Sequence, residues 1–107
     1  MSLQQIAMSD LYRKAPQLGG DEVILDVRTP DEFSAGHVKG SVNIPHDQLG
    51  AHLEKLKKYK QIFIHCRSGK RAQAAADTLV KAGFNNLICV TGSGMDDWIA
   101  AGFPVQK

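Results

Sequence analysis

The strongest constraint on this chain is the way short apolar runs alternate with helix-length segments. Glu22–Val27, Gln61–His65 and Leu87–Val90 are rich in branched residues, and Ser41–Ile44 is a shorter run of the same kind. Leu3–Ile6 reads as a further edge strand. Runs that stay apolar instead of alternating belong to strands covered on both faces. Parallel strands need crossovers of a dozen or more residues, which the intervening segments supply. The class is therefore α/β, with a mainly parallel central sheet flanked by helices.

Several helices announce their own ends. Thr29-Pro30-Asp31-Glu32 is a capping box with proline at the first helical position, and Gly36 stops that helix. Ser9 or Asp10 can cap a short helix over Leu11–Lys14, which Pro16 and Gly19-Gly20 end. Leu49, Leu53 and Leu56 predict a helix over His46–Tyr59 with a lysine-rich end. The lysines at 55, 57, 58 and 60 read as a solvated helix end. An alanine-rich helix is expected over Arg71–Ala82, closed by Gly83, and a last one over Met95–Ala101. With 107 residues, the chain fits one domain spanning 1–107.

Chemistry concentrates in one place. Ile62-Phe63-Ile64-His65 is a strand that runs into Cys66-Arg67-Ser68-Gly69-Lys70-Arg71, and that turn opens the alanine-rich helix. Ligands of α/β sheets bind at the carboxyl ends of strands. Backbone amides of such a turn, with the helix dipole behind them, cradle an anion. Gly69 lets the backbone curl without steric cost. Arg67, Lys70 and Arg71 crowd the turn with positive charge, although the whole chain is only +2. Such surroundings favour a thiolate, which makes Cys66 a nucleophile. His65 precedes it, but neighbouring strand side chains face opposite ways, so no Cys/His dyad is expected.

Other residues read as structure. Cys89 lies in Leu-Ile-Cys-Val and is expected in the core. Asp26 and Arg28 are expected to pair structurally with Glu32 or a neighbouring loop, and His37 to make a structural hydrogen bond. Trp98 is expected to pack the last helix, with Met95 beside it. The histidines at 46, 52 and 65 share no metal-ligand spacing, so no metal site is assigned. The small net charge gives no reason to expect nucleic acid, and no apolar stretch reaches membrane-spanning length. With two cysteines and no signal-peptide pattern, a cytoplasmic setting is expected.

From these residues a resemblance follows. Asp26-Val27-Arg28, then Glu32-Phe33, Gly36-His37-Val38, Gly40-Ser41 and Asn43-Ile44-Pro45 resemble the amino-terminal signature of the rhodanese sulfurtransferases. The strand entering Cys66, the loop closing at Arg71, and Trp98, Gly102 and Pro104 are similar to the family's later motifs. The match runs from Glu22 to Val105. One departure is Ser93-Gly94, where the family often has Gly-Gly. The resemblance implies a three-layer rhodanese-like fold and a Cys66 persulfide, formed from thiosulfate or a similar small anionic donor. A thiol or protein would accept the sulfur, and no cofactor is needed. Amides of residues 67–71 would cradle the persulfide, with Arg67, Ser68, Gly69, Lys70 and Arg71 as the binding residues. Related phosphatases and arsenate reductases have a loop one residue longer. Only four residues separate Cys66 from Arg71, as in the sulfurtransferases.

Overall fold

The computed structural model describes residues 4–107. Five strands form one sheet: β1 (Gln4–Ile6), β2 (Glu22–Asp26), β3 (Val42–Asn43), β4 (Gln61–His65) and β5 (Leu87–Val90). Five helices accompany them: α1 (Met8–Lys14), α2 (Pro30–Ala35), α3 (Leu53–Leu56), α4 (Lys70–Lys81) and α5 (Met95–Ala100). The strand order is β1-β5-β4-β2-β3, and every pairing is parallel. Leu3 of the expected edge strand lies outside the described residues.

β4 runs through the middle of the sheet, with Ile64 opposite Leu25 on one side and Cys89 on the other. Its alternation divides the core in two. Ile62, Ile64 and Cys66 pack with Ala72, Ala75, Ala76 and Leu79 of α4 and with Leu56 of α3. Phe63 packs with Met8 and Leu11 of α1 and with Met95 and Trp98 of α5. Helices therefore cover both faces, giving the three layers that the motifs imply.

The capping box forms as expected. Thr29 Oγ1 accepts the Glu32 amide at 3.3 Å, and Glu32 Oε1 accepts the Thr29 amide at 3.1 Å. Trp98 donates from Nε1 to the Pro104 carbonyl at 2.8 Å and meets Tyr12 and Phe103 edge-on. His37 makes its structural hydrogen bond through Nδ1 to the Phe33 carbonyl at 2.9 Å, with its ring stacked on Phe33.

Two elements differ from expectation. The segment expected as one helix over His46–Tyr59 is a 3-10 stretch, His46–Ala51, followed by the four residues of α3. Gly50 weakens a continuous helix, and His52 leaves helical geometry at ψ 15°. Leu49 and Leu56 still reach the core, so the burial pattern survives without the regular helix. The expected cap of α1 also moves: Ala7 takes the cap position, and Asp10 reaches back to accept its amide at 3.0 Å. The Met8 amide is satisfied by Ser93 Oγ at 2.9 Å, 85 residues away. That bond gives Ser93, the departure from Gly-Gly, a structural use.

Asp26 and Arg28 form a buried ion pair. Arg28 Nη2 lies 2.7 Å from Asp26 Oδ2 and also donates to the Gly36 carbonyl at 2.8 Å. Asn43 Nδ2 bonds the carbonyls of both residues, at 3.0 and 2.9 Å. The neighbouring-loop part of the expected pairing is met; the Glu32 part is not, because Glu32 pairs with Arg71. Together these bonds fix the turn between β2 and α2 at the carboxyl edge of the sheet, where β4 also ends. No helix among the described residues is long and apolar enough to cross a membrane.

Candidate active site

Cys66 follows the last residue of β4 and is 1% exposed at the base of the turn. Two contacts from α5 shape that turn. The Met95 amide donates to the Cys66 carbonyl at 2.8 Å, and the Asp96 amide donates to the Arg67 carbonyl at 3.3 Å. The orphan amides of one helix thus hold the carbonyls of the turn. Gly69 then takes φ 112°, a left-handed conformation that suits glycine, as the N-cap of α4. Its amide donates to Cys66 Sγ at 3.0 Å. The amides of Arg67 and Ser68 have no partner among the described residues, and the first amides of α4 have none by helix geometry. Cys66 Sγ therefore accepts the amide of the residue that caps the N-terminus of α4.

Gly94 permits this arrangement. A Cβ at residue 94 would lie 2.5 Å from the Cys66 carbonyl oxygen and as close to that of Arg67. Gly94→Ala is expected to push the turn off α5, costing about 1–3 kcal/mol or more. Urea unfolding and the rate of Cys66 alkylation check this. Both should fall, and an unchanged alkylation rate would show that the turn does not depend on this approach.

The predicted binding residues do not all present free charge. Arg67 is exposed, but its Nε lies 3.0 Å from Asp96 Oδ2. Arg71 makes a two-pronged pair with Glu32, at 2.6 and 3.0 Å. Ser68 and Lys70 are exposed, without a side-chain hydrogen bond or ion pair among the described residues. Glu32 and Asp96 were not legible as site residues. Glu32 reads in the sequence as a cap and a structural partner for Asp26 and Arg28, and its actual ion-pair partner, Arg71, is 39 positions away. The hydrogen bond from Arg71 pulls the Glu32 carboxyl down to about 2 from 4.5, against a smaller opposing effect of burial. A depressed carboxyl stabilises the fold above its unfolded value and loses that contribution as pH falls through the folded one. Wild type should exceed Glu32→Gln in stability above about pH 4.5, and the gap should close toward pH 2 in urea titrations. A gap independent of pH would contradict it.

His65 is fully buried on the other face. Its Nε2 lies 3.8 Å from Asp26, and its Nδ1 lies 3.4 Å from the Cys66 carbonyl, so it does not meet Cys66 Sγ. Burial lowers its pKa and keeps the imidazole neutral. Cys89 is free and buried in the core cluster, and burial pushes its thiol up to about 11, helped by the neighbouring Cys66.

A cysteine at the carboxyl end of a parallel strand, with the Gly69 amide on its sulfur where α4 begins, defines an α/β protein with a cysteine-bearing strand-to-helix loop. A profile of the rhodanese-like domain matches residues 10–101. The chain belongs to the rhodanese-like family, whose named members include sulfurtransferases. It is 35% identical over 94 residues to thiosulfate sulfurtransferase 16 of Arabidopsis thaliana, covering 77% of this chain and 78% of that protein. It is 40% identical over 75 residues to the YrkF protein of Bacillus subtilis, covering 70% of this chain and 40% of that one. The chain spans 40–63% of the length of the first three curated relatives it matches. Among solved structures, a rhodanese-related protein of Thermoplasma volcanium superposes with a TM-score of 0.81 at 33% identity, covering 96% of this chain and 97% of that one.

Proposed function

We propose that this protein is a sulfurtransferase that carries a sulfane sulfur on Cys66, taken from thiosulfate or a similar donor. The observation behind the reading is the Gly69 amide on Cys66 Sγ, within a loop that reaches Arg71 after only four residues. In the first step the Cys66 thiolate attacks the outer sulfur of the donor. A new S–S bond forms, the donor's own S–S bond breaks, and sulfite leaves with the electron pair. Amides of residues 67–71 hold the persulfide anion where the sulfur's charge is needed. In the second step a thiolate, or cyanide in the test tube, attacks the terminal sulfur and Cys66 leaves as thiolate. Two displacements through a covalent intermediate give ping-pong kinetics. The site as drawn needs no metal or organic cofactor. Its partners are a small anionic donor and a thiol or protein acceptor, without nucleic acid or membrane. Two unpaired cysteines suit a reducing compartment such as the cytoplasm.

Intact mass after incubation with thiosulfate tests the proposal, followed by cyanide and a thiocyanate assay. The expected result is a gain of one sulfur atom, then thiocyanate with return to the starting mass. The reading fails if Cys66 alkylates at neutral pH yet takes sulfur from no sulfane donor. Turnover of an aryl phosphate in that case would favour a phosphatase instead.

A further inference from the structure

The turn around Cys66 carries three cations in sequence, but the structure closes two of them. Glu32 grips Arg71 with both carboxylate oxygens, and Asp96 meets Arg67. Neither carboxylate belongs to the turn, and each is fixed by its own helix. Glu32 Oε1 also accepts the amide and hydroxyl of Thr29, at 3.1 Å each. Asp96 sits in the first turn of α5, where its amide bonds the Arg67 carbonyl. Glu32 is therefore held by Thr29 whether or not a donor is present, whereas Asp96 meets Arg67 in an exposed pair placed by the start of α5. Glu32 remains ionised throughout the neutral range. Lys70 is the cation of the turn with no ion-pair partner among the described residues.

An uncompensated Lys70 balances one thiolate. Beyond that, a donor meets only the partial positive charge of the α4 N-terminus, roughly half a unit. A dianion such as thiosulfate brings more negative charge than this rim offsets. A singly charged sulfane donor comes closer to a match.

We propose that Glu32 and Asp96 are specificity-determining residues: by closing Arg71 and Arg67 they restrain dianionic donors and tune the site to singly charged ones, such as an organic persulfide RSS⁻. This rests on the sulfurtransferase reading above. With such a donor the Cys66 thiolate attacks the outer sulfur, and the S–S bond of RSS⁻ breaks. RS⁻ leaves with the electron pair, and the charge is the same on both sides of the transfer. Carboxylates near an active-site turn often serve only to fix the turn, so the test must separate charge from positioning.

The probes are thiosulfate and methanethiosulfonate, near-isosteres in which a methyl group replaces one oxygen and removes one charge. Both leave the same persulfide on Cys66. Glu32→Gln keeps the capping box, because glutamine fills that position as glutamate does, and frees the charge of Arg71. Asp96→Asn frees Arg67 at an exposed site and serves as the independent variant. Each substitution is expected to raise kcat/KM for thiosulfate about three- to tenfold at low salt. The logarithm of the gain with methanethiosulfonate should be half as large, because the donor charge is half. Both gains should shrink by 0.5 M salt, where screening is short-ranged. Equal changes for the two donors, or a fall in thiosulfate use while wild type still loads sulfur, would overturn the proposal and make the pairs purely positional. If wild type loads sulfur from neither donor, the sulfurtransferase reading itself fails.

Discussion

Cys66→Ala should gain no sulfur from thiosulfate and release no thiocyanate, with turnover more than about a thousandfold below wild type. The substitution removes the only group in the turn that can attack sulfur. Cys89 is the sole other cysteine, and it cannot substitute. It sits fully buried among the core residues of the α4 side, and burial holds its thiol near 11. At pH 7 about one molecule in ten thousand would carry a thiolate there. Cys89→Ala should therefore load and transfer sulfur as wild type does. The fold should tolerate Cys66→Ala at a cost of about 1 kcal/mol, because only one small side-chain atom is lost. Circular dichroism and intact mass on the same preparations separate lost chemistry from lost structure. Sulfur loading by Cys66→Ala would move the nucleophile elsewhere and end the assignment.

Arg28→Met should cost about 3–5 kcal/mol, a large fraction of the 5–15 kcal/mol that holds a domain together. Asp26 is completely buried and Arg28 nearly so. Removing the guanidinium strips Asp26 of three side-chain bonds and leaves it with the amide of residue 28. His65 stands 3.8 Å away but stays neutral in its buried setting, so it supplies no replacement charge. The Gly36 carbonyl loses its partner as well. The double substitution Asp26→Leu with Arg28→Met removes both charges and should recover most of the loss, since an apolar pair is often no worse than a buried ionic one. Urea unfolding followed by the fluorescence of Trp98 measures all three proteins. A cost below about 1 kcal/mol for Arg28→Met would show that the pair does little to hold the turn between β2 and α2.

Features that depend on neighbouring residues could be read from the chain. The Thr29 capping box is complete within four positions, and the turn at Cys66 is framed by an apolar strand and an alanine-rich helix. Cys89 could be placed in the core from its apolar neighbours alone. What escaped depends on distant partners or on weak local preference. The segment after Pro45 has leucines at helical spacing, yet burying those leucines does not require a regular helix once Gly50 and His52 interrupt it. The start of α1 depends on a hydroxyl from Ser93, and the charge of the turn depends on carboxylates from α2 and α5. Arginine counts in a sequence report charge present, whereas the ion pairs decide how much of it a substrate meets.

The depth of Cys66 bears on which bond breaks when the proposed persulfide is spent. With Cys66 only 1% exposed, the anchoring sulfur lies at the base of the turn, while the added sulfur stands about 2 Å further along the S–S bond. An attacking thiol has two choices on a persulfide. Striking the outer atom passes the sulfur on; striking the inner atom traps the protein as a mixed disulfide and discards hydrosulfide. Seating the inner atom at the base of the turn, behind the outer one, disfavours the second route. The same turn that steadies the cargo would thereby keep each delivery from ending as a leak.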